Sequence, residues 1–416
     1  MHESDSTLAR PRRLARGAAF AVSAAVIGLC LAAATAPAPL YKLYQAQWGF
    51  STPALTLVYA VYCVGVLVAL LLFGRLSDSW GRRPVIIAGL VGLLAAMAVF
   101  LNAYSVSWLF VARGLQGLAT GIAISAAGAA LLEFAPPAEP GRGGLLNAVA
   151  SSLGVGCGGL FGAVLVQFSP SPLVVPFAVL AVLVAALVVT AAFLPETVAR
   201  GSGPRRLRFA GPRVPRGIRA PFVLSGLGIT AAWANVGLYQ SLVPTLAPAL
   251  LRSQTYLAAG LAIFALGGAS AVAPLLLKAR ATSTLIAGGL VTLVAGVAIM
   301  ALSLEFPAPV LFIAASLVIG TGVGTSMVGS IRLVGEIAPP THRASVMAAF
   351  YVVAYCAISV PAVIVGFLVR EIGTTATFQL FAATIALLSL TALAVNRQVL
   401  RPARKTPAPA LARDRN

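Results

Sequence analysis

A lone cation lies deep inside an apolar stretch. Arg113 opens Arg113-Gly114-Leu115-Gln116-Gly117 within a run near 107–132. At about 100° per residue, Arg113, Gln116 and Thr120 fall within about 60° of arc on one helix face. An ionisable group is costly in lipid, so this stripe belongs toward a bundle interior or a water-filled path. Two kinds of chemistry fit it: attraction of a passing anionic group, or bracing of neighbouring helices through their carbonyls. Little else at that depth is reactive. Of the ten acids, Glu3, Asp5, Glu139 and Asp414 fall in polar segments. Asp78, Glu133, Glu196 and Glu336 flank apolar runs at one end, and Glu305 and Glu371 at the other. His2 and His342 also lie outside the runs. No general base, nucleophile pair or metal cluster is therefore available at depth. Cys30, Cys63, Cys157 and Cys356 each sit alone in an apolar run and read as buried small hydrophobes, not as disulfide or metal ligands. No cofactor or metal site is expected.

Other groups could line a path. The seventh apolar run offers Trp233, Asn235, Tyr239 and Gln240, the tenth Ser316, Thr321 and Thr325. Tyr59 with Tyr62, and Tyr351 with Tyr355, are spaced to share a helical face, suited equally to packing or to solute contact. Tyr41, Tyr44 and Trp48 beside Lys42 read as an interfacial aromatic belt.

The elements that must position these groups follow from composition. The chain has 416 residues, 59% of them hydrophobic and 9% charged, and a mean hydropathy of +0.96; soluble domains carry about 25% charge. Twelve runs near spanning length are predicted at 17–38, 53–73, 84–103, 107–132, 144–167, 172–194, 219–244, 256–277, 283–303, 309–331, 344–368 and 375–396. They are continuous and lack a period of two, which favours helices over a barrel and gives an all-α integral membrane protein. The first run resembles a secretory signal, but its length and the count of twelve favour a retained helix.

The net charge of +19 would suit a nucleic-acid binder if it were spread over one surface. All but four of the 29 basic residues, Lys42, Arg113, Arg252 and Arg370, instead fall in alternate loops and the two tails. That asymmetry is the positive-inside pattern, which puts both termini in the cytoplasm and leaves no call for nucleic acid.

The sequence also repeats. Leu132-Glu133-Phe134-Ala135-Pro136-Pro137 recurs as Gly335-Glu336-Ile337-Ala338-Pro339-Pro340, and Gly117 and Gly121 map onto Gly320 and Gly324 at the same offset. The expected organisation is a cytoplasmic tail over 1–16, a six-helix bundle over 17–197, a basic linker over 198–218, a second six-helix bundle over 219–396 and a basic tail over 397–416. Proline, glycine and arginine dominate the linker with no acid to relieve repulsion, so it is expected to be poorly ordered.

The loop Gly74-Arg75-Leu76-Ser77-Asp78-Ser79-Trp80-Gly81-Arg82-Arg83-Pro84 carries a resemblance. It is similar to the loop between helices two and three of the major facilitator superfamily, whose pattern is Gly, three residues, Asp, two residues, Gly and a basic pair. Arg113 and Gln116 resemble that family's helix-four motif, and Leu194-Pro195-Glu196-Thr197 its ending to helix six. The resemblance implies that Gly74, Asp78, Gly81, Arg82, Arg83 and Glu133 form a cytoplasmic gate. Asp78 would meet the start of helix eleven near Ser345, and Arg82 would pair with Glu133, these contacts breaking when that face opens. The second-half loop Leu277-Lys278-Ala279-Arg280 lacks the acid and the glycines, so the gate is expected to be lopsided. Helix five holds Gly154, Gly158, Gly159 and Gly162, matching three of five positions of the family's exporter motif. Gly159 replaces a proline and Ala163 a glycine, so the stretch reads equally as close helix packing.

The implied function is a secondary transporter of small molecules working by alternating access in the bacterial cytoplasmic membrane. Proton-coupled efflux of a drug or metabolite leads, with import of a sugar or organic anion as the alternative. Arg113, Gln116, Thr120, Trp233, Asn235, Tyr239 and Gln240 are the candidate substrate or proton path. A monomer in the lipid bilayer, with a small solute and H+ as partners, completes the expectation. Nothing at depth supports an enzyme, no large soluble domain supports a receptor, and no phosphate-binding glycine–lysine motif supports ATP coupling.

Overall fold

The structure, a computed structural model, describes residues 13–74, 76–139, 141–198, 211–243, 255–306 and 308–399. Arg75, the tail stretches 1–12 and 400–416, and linker residues 199–210 lie outside the described residues.

The first half builds α1 (Arg16–Thr35), α2 (Tyr41–Trp48), α3 (Thr52–Phe73), α4 (Leu76–Trp80), α5 (Arg82–Leu101), α6 (Val106–Phe134), α7 (Arg142–Phe168) and α8 (Val175–Ala191). The second builds α9 (Arg219–Ser241), α10 (Tyr256–Leu277), α11 (Thr282–Glu305), α12 (Pro309–Ile337), α13 (Arg343–Ile372) and α14 (Thr374–Val399). Among the described residues, eleven helices are long and apolar enough to cross a membrane, and α8, with 17 residues, is a shorter apolar twelfth. Each predicted run therefore has its helix. α6 and α12 each reach 29 residues because their apolar runs continue to Phe134 and Ile337. Arg397 belongs to the last turn of α14, so the predicted tail begins inside a helix.

Each half wraps its own core. In the first, α6 packs on α1, α3 and α5, α7 on α1, and α8 on α5. The Phe100 and Phe177 rings stack there 4.4 Å apart. In the second, α12 packs on α9, α10 and α11, α13 on α9, and α14 on α11. The halves meet chiefly along α7 with α10 and along α3 with α13.

The sequence repeat is a packing repeat. Gly117 and Gly121 of α6 lie against the α3 backbone at Tyr62 and Val66, and Gly320 and Gly324 of α12 lie against the α10 backbone at Leu266 and Ser270. Gly89 of α5 abuts Ala123, as Gly289 of α11 abuts Ser326. Small residues permit this approach, which van der Waals packing and weak contacts hold in lipid where water does not drive helices together.

Two expectations change. The described end of the linker is docked: Val214 and Ile218 pack on a cluster with Phe222, Val334, Val346 and Phe350, and the Arg213 N–H donates to the Ser345 carbonyl at 3.3 Å. Apolar side chains at both positions supply the anchor that the basic composition hides. Of the cysteines, Cys30 and Cys63 are buried, whereas Cys157 and Cys356 face out of the bundle.

Candidate functional site: a central cavity and its charged rim

A cavity of about 1250 Å³ runs between the halves. Its deep end is formed by Thr35 of α1, Tyr59 and Tyr62 of α3, Trp233 and Gln240 of α9, and Tyr355 of α13. Its mouth reaches Glu139 and Arg142 between α6 and α7, and Lys278 and Ala279 after α10. It thus opens toward the face that carries the arginine-rich loops. At the opposite end the halves are in contact. Gln167 of α7 accepts the Tyr256 N–H of α10 at 3.0 Å, and Gly366 of α13 abuts Thr56 of α3. Midway, Ser152 and Ser270 share a hydrogen bond of 3.2 Å across the two halves.

Of the seven path candidates, Trp233 and Gln240 line this cavity, and the other five lie behind its wall. Arg113 is 1% exposed. It donates from Nη1 to the Ala34 carbonyl at 2.7 Å and to Gln116 Oε1 at 2.6 Å, and from Nε to Tyr41 Oη at 2.6 Å. Gln116 in turn donates to the Ala33 carbonyl at 2.9 Å. The stripe therefore satisfies the last carbonyls of α1, where the negative end of the helix dipole favours a cation. Of the two chemistries open to Arg113, bracing is the one its contacts show. Tyr41 and Tyr44 are likewise buried and do not form an outer belt: Arg113 lies 5.4 Å from the Tyr41 ring centroid and draws that ring inward. Asn235 donates to Ala231 of its own helix at 2.9 Å, and Tyr239 bonds Ser316 at 2.9 Å. The Thr120 hydroxyl is buried beside α3.

Sequence reasoning missed Asn147, Ser151 and Ser152 of α7 and Ser270 of α10 as wall residues. Asn147 and Ser151 are one turn apart, so helical spacing was the signal available for them.

The loop motif forms a compact ionic cluster. Arg82 Nη1 meets Asp78 Oδ1 at 2.5 Å and Ser77 Oγ at 2.6 Å, while Nη2 meets Glu133 Oε1 at 2.7 Å. Thr197 donates its hydroxyl to the other Glu133 oxygen. Gly81 has a φ of +96°, a region that glycine enters without strain. A Cβ there would also strike Glu196, whose carboxylate accepts the Arg82 N–H at 2.8 Å and the Arg83 N–H at 3.2 Å. Glu196 thus caps the start of α5, a role its sequence position did not announce. Glu196→Gln is expected to lower stability by about 1 kcal/mol, the usual cost of a weakened helix cap, read as a lower unfolding midpoint in detergent. Gly74 closes α3, its N–H donating to Leu70.

One gate expectation needs correction. The Arg82–Glu133 pair forms as expected, but it joins elements of one bundle and is intact while the cavity is open on this face, so separation of the bundles does not break it. Among the described residues Asp78 bonds Arg82, and a contact with the turn at Ser345 would belong to a closed state other than this one. In the second half the same place is held by Thr282, which donates to Glu336 at 2.8 Å. A neutral donor there makes the two halves unequal.

Gly154 and Gly158 press on the α1 backbone at Gly28 and Ala32, and Gly162 on Ala36 just past its end. Gly159 faces the other way, toward Ile263 of α10. The glycine run therefore packs on two partners at once.

Comparison with known proteins matches this geometry. Residues 20–305 match the family model described as Major Facilitator Superfamily. Sugar transport protein 3 of Arabidopsis thaliana is 35% identical over 107 residues, 26% of this chain and 20% of that protein. Multidrug resistance protein MdtL of Klebsiella pneumoniae (strain 342) is 36% identical over 73 residues, 18% of this chain and 19% of that protein. The chain thus spans about a fifth of the length of these curated relatives. A solved POT family transporter in complex with 5-aminolevulinic acid superposes with a TM-score of 0.72 at 12% identity, over 93% of this chain and 96% of that one. With twelve apolar helices in two similar halves around one cavity, and a family model over most of its length, the chain belongs to the major facilitator superfamily.

Proposed function

We propose that this transporter of small molecules exports an organic compound across the bacterial cytoplasmic membrane by alternating access, coupled to proton entry. One observation carries the alternating-access reading: among the described residues, a cavity walled by both halves reaches the arginine-rich face, while the halves meet at the other. The positive-inside rule makes that face cytoplasmic, together with both termini. The cavity is then open to the cell interior, the state from which an exporter loads. Likeness to a multidrug resistance protein supports the direction, and one chain completes the cavity, which supports a working monomer.

Import of a sugar, suggested by the plant relative, fits the wall less well. Sugars need many paired polar groups, whereas apolar and aromatic side chains make up most of the described wall. The carboxylates of the spanning helices sit in their end turns, Glu133 in α6 and Glu371 in α13 among them, and the proton carrier in this reading is sought among Asp78, Glu133 and Glu371.

Cells expressing the protein are expected to accumulate less of the transported compound, and proteoliposomes to move it several-fold faster under an imposed pH gradient. Transport indifferent to that gradient rejects proton antiport, and faster accumulation in expressing cells rejects export.

A further inference from the structure

The charges around the cavity narrow what it can hold, an inference that rests on the export reading and deepens it. Five rings line one wall: Tyr59 and Tyr62 of α3, Trp233 of α9, and Tyr351 and Tyr355 of α13. Trp233 meets Tyr355 edge-on, with centroids 5.3 Å apart. Aromatic faces attract cations, so this wall alone would suit a lipophilic amine. What stands behind it reverses that preference.

The Arg113 guanidinium lies 5.4 Å from the Tyr62 ring centroid. A full positive charge therefore sits one ring's thickness behind the cavity surface and already engages the Tyr62 face. All its hydrogen bonds go to neutral acceptors, and among the described residues no acid pairs with it. The carbonyls ending α1 offset this charge only in part, since a helix terminus counts as about half an elementary charge. The acids of the spanning helices, Glu133, Glu305, Glu336 and Glu371, sit in end turns, and among the described residues none pairs with Arg113 to complete the compensation. The mouth has the same sign. Glu139 is met by Arg142 at 3.6 Å, which leaves Lys278 and Arg332 on the rim without an acidic partner among the described residues.

We propose that the cavity selects organic anions with an aromatic or apolar body, such as aromatic carboxylates, over cations of the same shape. Arg113 acts through its field, being too buried to touch a solute, while the rings and the Gln240 amide make the contacts. At about 8 Å, and with an effective dielectric near 20, reversing the sign of the ligand changes its affinity by more than tenfold.

The test uses the purified full chain in detergent and three probes sharing one body: 2-naphthoate, neutral 2-naphthylmethanol and 2-naphthylmethylammonium. Calorimetry is expected to rank them in that order, with naphthoate at least tenfold tighter than the ammonium. Gln240→Glu sets a carboxylate of the same shape in the deep wall and is expected to reverse the ranking. Arg113→Gln is expected to bring the three within about threefold; should that variant fail to fold, Gln240→Glu carries the test. An ammonium bound as tightly as naphthoate, a ranking unmoved by Gln240→Glu, or no binding by any probe overturns the proposal. Labelling of Asn147→Cys with and without a pH gradient follows alternation with no ligand present. Wild-type protein that alternates yet lacks the anion preference sinks this inference and spares the transport reading.

Discussion

Asp78→Asn is expected to cut transport at least tenfold while the protein stays folded and membrane-inserted. The side chain is about half exposed (52%) and pairs with Arg82 at 2.5 Å. Exposed ion pairs contribute at most about 1 kcal/mol, and Arg82 keeps Glu133 as a partner, so stability should hardly move. The loss arises in the other state. In the proposed alternating-access cycle, closing of the arginine-rich face brings the α3–α5 loop to the start of α13. No side chain caps that helix, so its free N–H groups and positive dipole end await an anion. A hydrogen bond to a charged group contributes about 1.5–3 kcal/mol, and each 1.4 kcal/mol is about tenfold in the population of the closed state. Asn keeps the shape and loses the charge. Vesicle transport and alkylation of Asn147→Cys check both halves of this: turnover falls, and labelling from the arginine-rich side rises. Normal turnover removes Asp78 from the gate.

Much of this fold could be read from the chain because lipid permits few solutions. Each predicted apolar run became a helix, since backbone polar groups in hydrocarbon must pair within their own segment. The repeat was visible at Gly117 and Gly320 because close backbone approach demands small side chains at matched places. Directions and partners were harder. Periodicity put Arg113, Gln116 and Thr120 on one face but could not say that α1 ends opposite them, so brace and path stayed open together. Tyr41 reads as a belt residue until the buried guanidinium that it accepts from is known. The cap by Glu196 joins elements more than a hundred residues apart, beyond any local pattern. The exporter-like run in α7 was ambiguous because both readings describe glycines. The structure shows that alternate glycines serve different neighbours.

That division within α7 yields the sharpest test of how the molecule is held together. Gly158→Leu is expected to abolish the folded protein. Its Cβ would fall on the Ala32 backbone of α1, leaving no rotamer that avoids a shift of the whole helix. Overpacking alone costs about 1–3 kcal/mol. Here the displaced helix also carries the Ala33 and Ala34 carbonyls that hold Gln116 and Arg113, so a buried cation would lose its acceptors too. Removing the partner of a buried charge costs about 3–5 kcal/mol more, a large share of a typical domain's stability of about 5–15 kcal/mol. Gly267→Val places a milder backbone clash elsewhere: its Cβ would lie 2.6 Å from the Gly156 Cα, where α10 of one bundle meets α7 of the other. Each bundle has its own core, so this variant should stay monodisperse and melt near the wild type. It should instead hold the far ends of α7 and α10 apart, raise labelling of Tyr256→Cys from outside and stop transport. Size-exclusion profiles and thermal melts read the first effect, and labelling reads the second. Should Gly267→Val collapse the protein as completely as Gly158→Leu, the two bundles are a single cooperative core and cannot rock against each other.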